Sequence, residues 1–385
     1  MKNKAVRYRI YPNTKQIVLL ANFFGCVRKV YNLFLDIQNK RYKNNKKYMS
    51  KNDMNDFCNN VLKSKYPYLK IPDKFALTNS IYNLDAAFKN FFEGRSKYPN
   101  FKSKSKSRRS YTTNATNNNI EILDGYVKLP KLGKVKASIH RKANDGWEIK
   151  SATVSQTPSG EYYVSILYAY EDEIKPVDVD MGKLLGLDFS APYLYIDSDG
   201  NEPDYEKPFR KYQEKLAREQ QKLSKMREDA KKQKRDLSEC KNYQKQKIKV
   251  AKIYRKITNC RKDALHKISL RLAESYDAVV IEDIDMHAMA QCLDLGKSVL
   301  DNGWGMFTTF LKYKLEDRGK QLVVIDRWYP STKTCHRCGN VKPVRLNERT
   351  YVCPECGLEF DRDWNAAINI REEGKCLLSA KADAA

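Results

Sequence analysis

Two cysteine pairs, Cys335-His-Arg-Cys338-Gly and Cys353-Pro-Glu-Cys356-Gly, are the densest concentration of metal-binding side chains in this 385-residue sequence. A two-residue spacing lets both thiolates of one turn reach a single tetrahedral ion at about 2.3 Å, and the glycine after each pair permits the left-handed backbone of a knuckle. Four thiolates fill the coordination shell, so Cys335, Cys338, Cys353 and Cys356 are expected to hold a structural Zn²⁺ that stabilises and does not catalyse. A redox pair is the alternative, but such a pair ordinarily stands alone in its fold. His336, inside the first turn, reads as a surface residue and not a fifth ligand. Cys26, Cys58, Cys240, Cys260, Cys292 and Cys376 are scattered, which suits a reducing compartment better than a disulfide framework.

Catalysis then has to come from other groups, and three acids far apart in sequence are candidates. Asp188 ends the apolar run "LLGLD", Glu282 ends "AVVIE", and "DRD" at 361–363 opens "WNAAINI". A charge at the end of an apolar strand is placed against its cost of burial. Carboxylates from adjacent strand ends, with one from a packed helix, could hold two Mg²⁺ about 3.5–4 Å apart, the arrangement that activates water and stabilises the leaving oxygen of a phosphodiester. Position alone leaves Asp361 and Asp363 both open as the third acid. Asp283 and Asp285 read as loop or capping residues.

These groups need elements to hold them. "AVRYRIY" (5–11) reads as a strand, and a helix follows from Thr14, whose hydroxyl can cap the first turn. "KFALTNSIYNLDAAFKNFF" is a second amphipathic helix with Leu77, Ile81, Leu84, Phe88 and Phe92 on one stripe, so 14–95 reads as a small helical bundle. The basic stretch 102–109 is a linker or a phosphate-binding loop. Short alternating runs from Asn119 to Ala169 predict an antiparallel sheet or small barrel, which the first strand could join. "LLGLDFSAPYLYIDSDG" is a strand pair. Residues 209–295 contain neither glycine nor proline, and the segment to Tyr276 reads as a helical hairpin, broken near Leu237–Asn242, with one basic face. Strand "DAVVIEDI", helix "DNGWGMFTTFLKYKLEDRG" and strand "KQLVVIDRWYP" make an α/β core.

Against 47 acidic residues the chain carries 72 lysines and arginines, a formal charge of +25, far beyond what solubility requires. The excess is spread over most of the chain, which favours nucleic acid over a membrane surface as the partner. The apolar stretch from Ile17 is about ten residues and broken by Asn22, which predicts neither a signal peptide nor a membrane span.

"RYRIYPNTKQ", "FKNFFEGRSKYPNFKSK", "GLDFS", "VVIEDIDMHAM", "WGMFTTFLKYKLEDRGKQLVVIDRWYPSTKTCHRCG" and "CPECGLEFDRDWNAAINI" together resemble the TnpB family of transposon-encoded RNA-guided DNA endonucleases, relatives of the type V CRISPR effectors. The resemblance runs over nearly the whole chain and in family order. It implies a multidomain α+β protein. A small β-barrel (wedge) would take residues 1–13 and 105–175, and an α-helical recognition domain 14–104. An RNase H-like (RuvC-like) α/β nuclease core would span 176–330, with a basic helical hairpin at 210–272. An inserted zinc ribbon (331–358) that binds target nucleic acid, a last RuvC-like segment (359–372) and a flexible C-terminal tail (373–385) would complete it.

By motif position the resemblance makes Asp188, Glu282 and Asp363 the catalytic, Mg²⁺-binding acids of a two-metal site. Of "DRD" it selects the second aspartate, which directly precedes the x-Asn-Ala-Ala helix. It implies a guide RNA made from the transposon end, and duplex DNA carrying a short adjacent motif, as partners. Candidates for reading that motif are Lys74, Thr78 and Asn79, with Tyr111 and Thr113; Lys102, Lys104, Lys106, Arg108 and Arg109, with the basic hairpin, are candidates for backbone contacts. A monomer working on the nucleoid in a prokaryotic cytoplasm is expected. The rival readings are a compact type V CRISPR effector, an RNA-guided DNA-binding repressor that does not cut, and a DNA-binding accessory protein that needs no RNA. Related repressors have replaced the three acids, and all three are present here.

Overall fold

The computed structural model describes residues 1–171, 174–286, 289, 302–345 and 348–383, and the chain divides into two units, Met1–Asp172 and Glu173–Ala385. Cys292, the end of "VVIEDIDMHAM" and the start of "DNGWG" lie outside the described residues.

In the first unit, β1 (Lys2–Tyr11) alternates buried Val6, Tyr8 and Ile10 with outward residues. Helix α1 (Thr14–Lys43) follows, capped by Asn13 and not by Thr14: Asn13 Oδ1 accepts from Gln16 N at 2.9 Å while Gln16 Oε1 accepts from Asn13 N at 3.0 Å. The amide of asparagine accepts as well as a hydroxyl here, and the reciprocal glutamine completes a capping box one residue earlier than expected. By length and composition α1 could cross a membrane, but Leu20, Phe23, Phe24, Val30 and Phe34 are buried in the unit's core, as in an interior helix. Short helices α2 (Lys51–Phe57) and α3 (Lys63–Lys65) lead to α4 (Lys74–Phe92), capped by Asp73. Leu77, Ile81, Leu84 and Phe88 of α4 are buried, whereas Phe92 leaves the expected stripe and is 72% exposed, because the last turn runs past the core.

Strands β2 (Arg109–Asn114), β3 (Glu121–Leu123), β4 (Tyr126–Leu129), β5 (Gly133–Ser138), β6 (Glu148–Gln156) and β7 (Tyr162–Tyr170) form an antiparallel sheet with β1, in the order β2-β6-β7-β1-β5-β4-β3. The first strand is therefore central, paired with β7 from Lys2↔Tyr170 to Ile10↔Tyr162 and with β5. Gln16 ties α1 to this sheet by donating to the carbonyls of Leu132 and Lys134 at 3.1 and 2.9 Å.

In the second unit, β8 (Leu184–Ser190) and β9 (Leu194–Asp197) make the strand pair, joined through Ala191-Pro192-Tyr193. Helices α5 (Pro208–Lys232) and α6 (Lys241–Ser275) form the hairpin, closed on Leu216, Val250 and Ile257; the break falls at 233–240, slightly before its expected place. Then come β10 (Ala278–Glu282), α7 (Trp304–Glu316) and β11 (Gln321–Ile325). The sheet order is β11-β10-β8-β9, with β11, β10 and β8 parallel and β9 antiparallel at the edge.

One face of this sheet packs Leu185, Leu187, Val279 and Ile281 against α6 and α7. The other packs Leu184, Val280 and Val323 against α8 (Arg362–Asp383), giving helices on both faces of a mainly parallel sheet. The small two-stranded sheet β12 (Thr350–Val352) and β13 (Glu359–Asp361) leads directly into α8. Residues 373–383, expected to be a flexible tail, continue α8. The apolar stripe Ala366, Ile370, Gly374, Leu378 keeps a four-residue spacing across that boundary, and Leu378 is buried on the sheet.

Candidate active site and metal centre

Strand parity places the first two acids. On β8, Gly186 and Asp188 share the face turned to α8, since Gly186 lies against the backbone of Ala367 and Arg371; on β10, Val280 and Glu282 share it, since Val280 lies against Gly374. Leu187 pairs with Ile281, so Asp188 and Glu282 stand one residue further along neighbouring parallel strands. The third acid comes from the first turn of α8. Asp188, Glu282 and Asp363 thus line one open cleft of about 650 Å³, together with Asp283, Asp285 and four arginines, Arg327, Arg345, Arg349 and Arg362.

Asp188 and Asp363 are buried, and Glu282 is partly buried. Burial pushes the Asp188 carboxyl well above its ordinary range, the neighbouring Glu282 and Asp363 push it further, and Arg362 opposes them. Burial also raises Glu282, against which the Ser331 hydroxyl, donating to Glu282 Oε1, stabilises the ionised form. Asp363 is paired: Arg362 Nε and Nη2 reach Oδ1 at 2.8 and 2.6 Å, and Arg349 Nη1 lies 3.4 Å from Oδ2. Asp361 is exposed and accepts from Trp364 N at 2.8 Å, the bond of a helix cap. Hard oxygen donors, one of them an acid raised by its fellow acids, fit a divalent cation such as Mg²⁺.

Cys335, Cys338, Cys353 and Cys356 bring their sulfurs within 4.8 Å of one another, with Cys335 to Cys356 at 3.7 Å and Cys338 to Cys353 at 3.5 Å. Four thiolates at that separation fit a tetrahedral Zn²⁺, with Tyr351 buried beside them. His336 is more than a surface residue: its backbone N–H donates to Asn365 Oδ1 at 3.1 Å, and its Nδ1 lies 2.9 Å from the same oxygen. Asn365 and Asn369 donate to the Thr334 carbonyl, both at 2.7 Å, and Asn369 donates to Ser331 O at 2.8 Å. The knuckle is therefore bonded to the helix of the third acid, and through Ser331 to Glu282. The cleft arginines and Ser331 carry no period or spacing that marks them in the sequence; the i, i+4 asparagines Asn365 and Asn369, beside the apolar stripe of α8, were the available signal.

The other candidates fare differently, each within the first unit. Tyr111 is 2% exposed and packs edge-on against Phe23 at 5.3 Å, and Thr113 is fully buried, donating to Asp73 Oδ2 at 2.6 Å. Both face inward on β2, as its alternation requires, so neither reads a DNA motif from this conformation. Asn79 spends its amide on Thr112 O and Asn114 Oδ1, both at 3.0 Å, and Thr78 donates to Asn55 Oδ1 at 2.9 Å. Lys102 Nζ sits 3.6 Å over the Tyr31 ring, while Lys74, Lys104, Lys106, Arg108 and Arg109 are exposed.

A Streptomyces pristinaespiralis protein named "Putative RNA-guided DNA endonuclease" is 33% identical over 380 residues, 96% of this chain and 89% of that protein. The chain belongs to the TnpB family. A second relative, from Escherichia coli K12, named "Putative RNA-guided DNA endonuclease InsQ", is 29% identical over 98% of this chain and 93% of its own. Residues 165–293 match the family described as "Probable transposase", residues 304–370 the "Cas12f1-like, TNB domain", and residues 1–47 a "Helix-turn-helix domain". That last span is filled here by a strand and one 30-residue helix. Cas12f1, in a cryo-EM structure of its complex with sgRNA and target DNA, matches with a TM-score of 0.62 at 12% identity, covering 96% of this chain and 98% of that one, a likeness of fold. The fold of this TnpB-family protein is accordingly a RuvC-like α/β core carrying a four-cysteine ribbon.

Proposed function

We propose that this protein is an RNA-guided DNA endonuclease whose phosphodiester chemistry is carried by Asp188, Glu282 and Asp363. The observation that carries the reading is their convergence from two parallel strands and one helix on a single cleft rimmed by arginines. Acids and arginines suit opposite needs: the carboxylates would hold Mg²⁺, and the guanidinium groups would hold the DNA phosphates. Mg²⁺ bound there would supply Lewis-acid polarisation of the phosphodiester and a lowered pKa for the attacking water. The chain's own residues set the geometry. Ser331 orients Glu282, Asp361 caps α8 so that its first turn aims Asp363 inward, and Arg362 and Arg349 balance the Asp363 charge.

The guide would be RNA from the transposon end, and the target duplex DNA with a short adjacent motif, opened by guide pairing that backbone contacts tip. The exposed Lys74, Lys104, Lys106, Arg108 and Arg109 and the basic faces of α5 and α6 are the groups for those contacts. A monomer acting on the nucleoid in the cytoplasm completes the reading. The test is reconstitution of the chain with transposon-end RNA and a target duplex. Asp188→Ala, Glu282→Ala and Asp363→Ala should each slow cutting by on the order of 10³-fold or more while guided binding persists. Normal cutting by Asp363→Ala with loss in Asp361→Ala would reassign the third acid, and site binding that survives ribonuclease would remove the guide from the proposal.

A further inference from the structure

The outer end of α4 carries aromatic surface that the core does not absorb. Phe92 is 72% exposed, and Tyr42, near the end of α1, is 83% exposed. With Phe91 and Tyr98 they wall a cavity of about 350 Å³ that Arg41 and Lys46 also line. The rings are fixed against one another: Phe91 meets Tyr98 nearly at right angles, 83° with centroids 5.1 Å apart, and Phe92 lies stacked on the buried Phe88 at 21° and 6.2 Å. The Tyr98 hydroxyl donates to Asn39 Oδ1, and Arg41 Nε donates to Lys47 O at 2.8 Å, so one wall and one cation are held before any ligand arrives.

An exposed aromatic pocket calls for an occupant, and its surroundings restrict the choice. Lys43, Lys46 and Lys47 follow Tyr42, and Arg41 and Lys46 line the cavity itself, whereas Lys89 and Arg95 beside Phe92 are paired with Asp85 and Glu93. A second copy of this face would set cations against cations. An unpaired nucleotide uses both features, a π face to stack on and cations for the flanking phosphates. The cavity has room for one base and not for a stacked duplex. We propose that this pocket captures one unpaired base of bound RNA, stacked against Phe92 with its neighbouring phosphates on Arg41 and Lys46. A folded RNA presents splayed bases in loops and bulges, whereas a target duplex or a guide–target hybrid presents paired ones. The inference rests on the reading above only in taking RNA as the resident polyanion.

The test uses the full chain, freed of copurifying nucleic acid, and a short oligouridylate carrying one 4-thiouridine as the probe. After irradiation the cross-linked peptide is sequenced, and an oligothymidylate carrying 4-thiothymidine forms the second arm. Cross-links are expected at Tyr42, Phe91 or Phe92. Phe92→Ala should weaken oligouridylate binding about tenfold, Phe92→Trp should restore it, and Tyr42→Ala should weaken it too. Both side chains are largely exposed, so these variants leave the fold intact. The proposal falls if the cross-links map elsewhere, if Phe92→Ala binds like the parent, or if only the thymidylate arm labels the pocket. It falls also if Phe92→Ala alters the sedimentation of the RNA-free chain, which would assign the face to a second copy. Cutting by Asp188→Ala tests the nuclease reading and cross-linking at Phe92 tests this one, so failure of either is read in a separate measurement.

Discussion

Burial and two neighbouring carboxylates make ionised Asp188 costly in the folded chain, so its folded pKa lies above the unfolded one. Between those two values the native state binds more protons than the unfolded state, and stability falls as pH rises through the window. Asp188→Asn removes that cost. With zinc bound and no added Mg²⁺ at pH 7 it should raise Tm by about 2–4 °C by calorimetry, and in a separate assay with Mg²⁺ it should lose cutting; a lower Tm would mean that the carboxylate stabilises the fold. Asp361→Ala should do the reverse, costing about 0.5–2 kcal/mol as a lost helix cap and leaving cleavage measurable in the folded fraction. Asp188 and Glu282 were legible in the sequence because a charge at the end of an apolar strand is conspicuous. Ser331, bonded to Glu282, was not, since a hydroxyl in a loop looks like any other until the partner is in place.

Helix α8 does for the site what no single residue can, and its position depends on two glycines. A Cβ at Gly186 would lie 2.3 Å from the Ala367 carbonyl oxygen, and one at Gly374 would lie 2.4 Å from Val280 Cγ2. Gly186→Ala or Gly374→Ala should each cost about 1–3 kcal/mol, read by denaturant unfolding, and should slow cutting beyond the loss of folded protein, since a displaced α8 carries Asp363 with it. The ribbon acts on the same helix from its other side. Zinc chelation, or Cys353→Ser, should lower Tm and cutting together, and His336→Ala should reproduce part of the cutting defect with zinc still bound, measured by metal content. Strand and helix identities were readable from their periods, and the four cysteines from their spacing. The outward turn of Phe92 and the burial of Tyr111 were not, because they depend on where a core ends and which face of a strand meets it.

A charge of +25 distributed over the chain makes association with a polyanion a property of the whole molecule. The logarithm of the affinity for guide or target should fall linearly with the logarithm of salt concentration; if six to ten phosphates are contacted, the loss between 50 and 200 mM is on the order of 10³–10⁵-fold, measurable by filter binding. A shallow slope would leave most of that charge without a role in binding. The parallel order of β11, β10 and β8, with the last acid on a helix that follows the ribbon, also has a consequence for synthesis. Nearly half of the chain separates Asp188 from Asp363, and α8 is synthesised only after β8, β10, β11 and the ribbon. On the proposed function, a product that terminates after β11 keeps its basic surfaces and its hold on RNA but lacks the third carboxylate. A late nonsense mutation would then yield an antagonist that occupies guides without breaking DNA, and not merely a weakened enzyme.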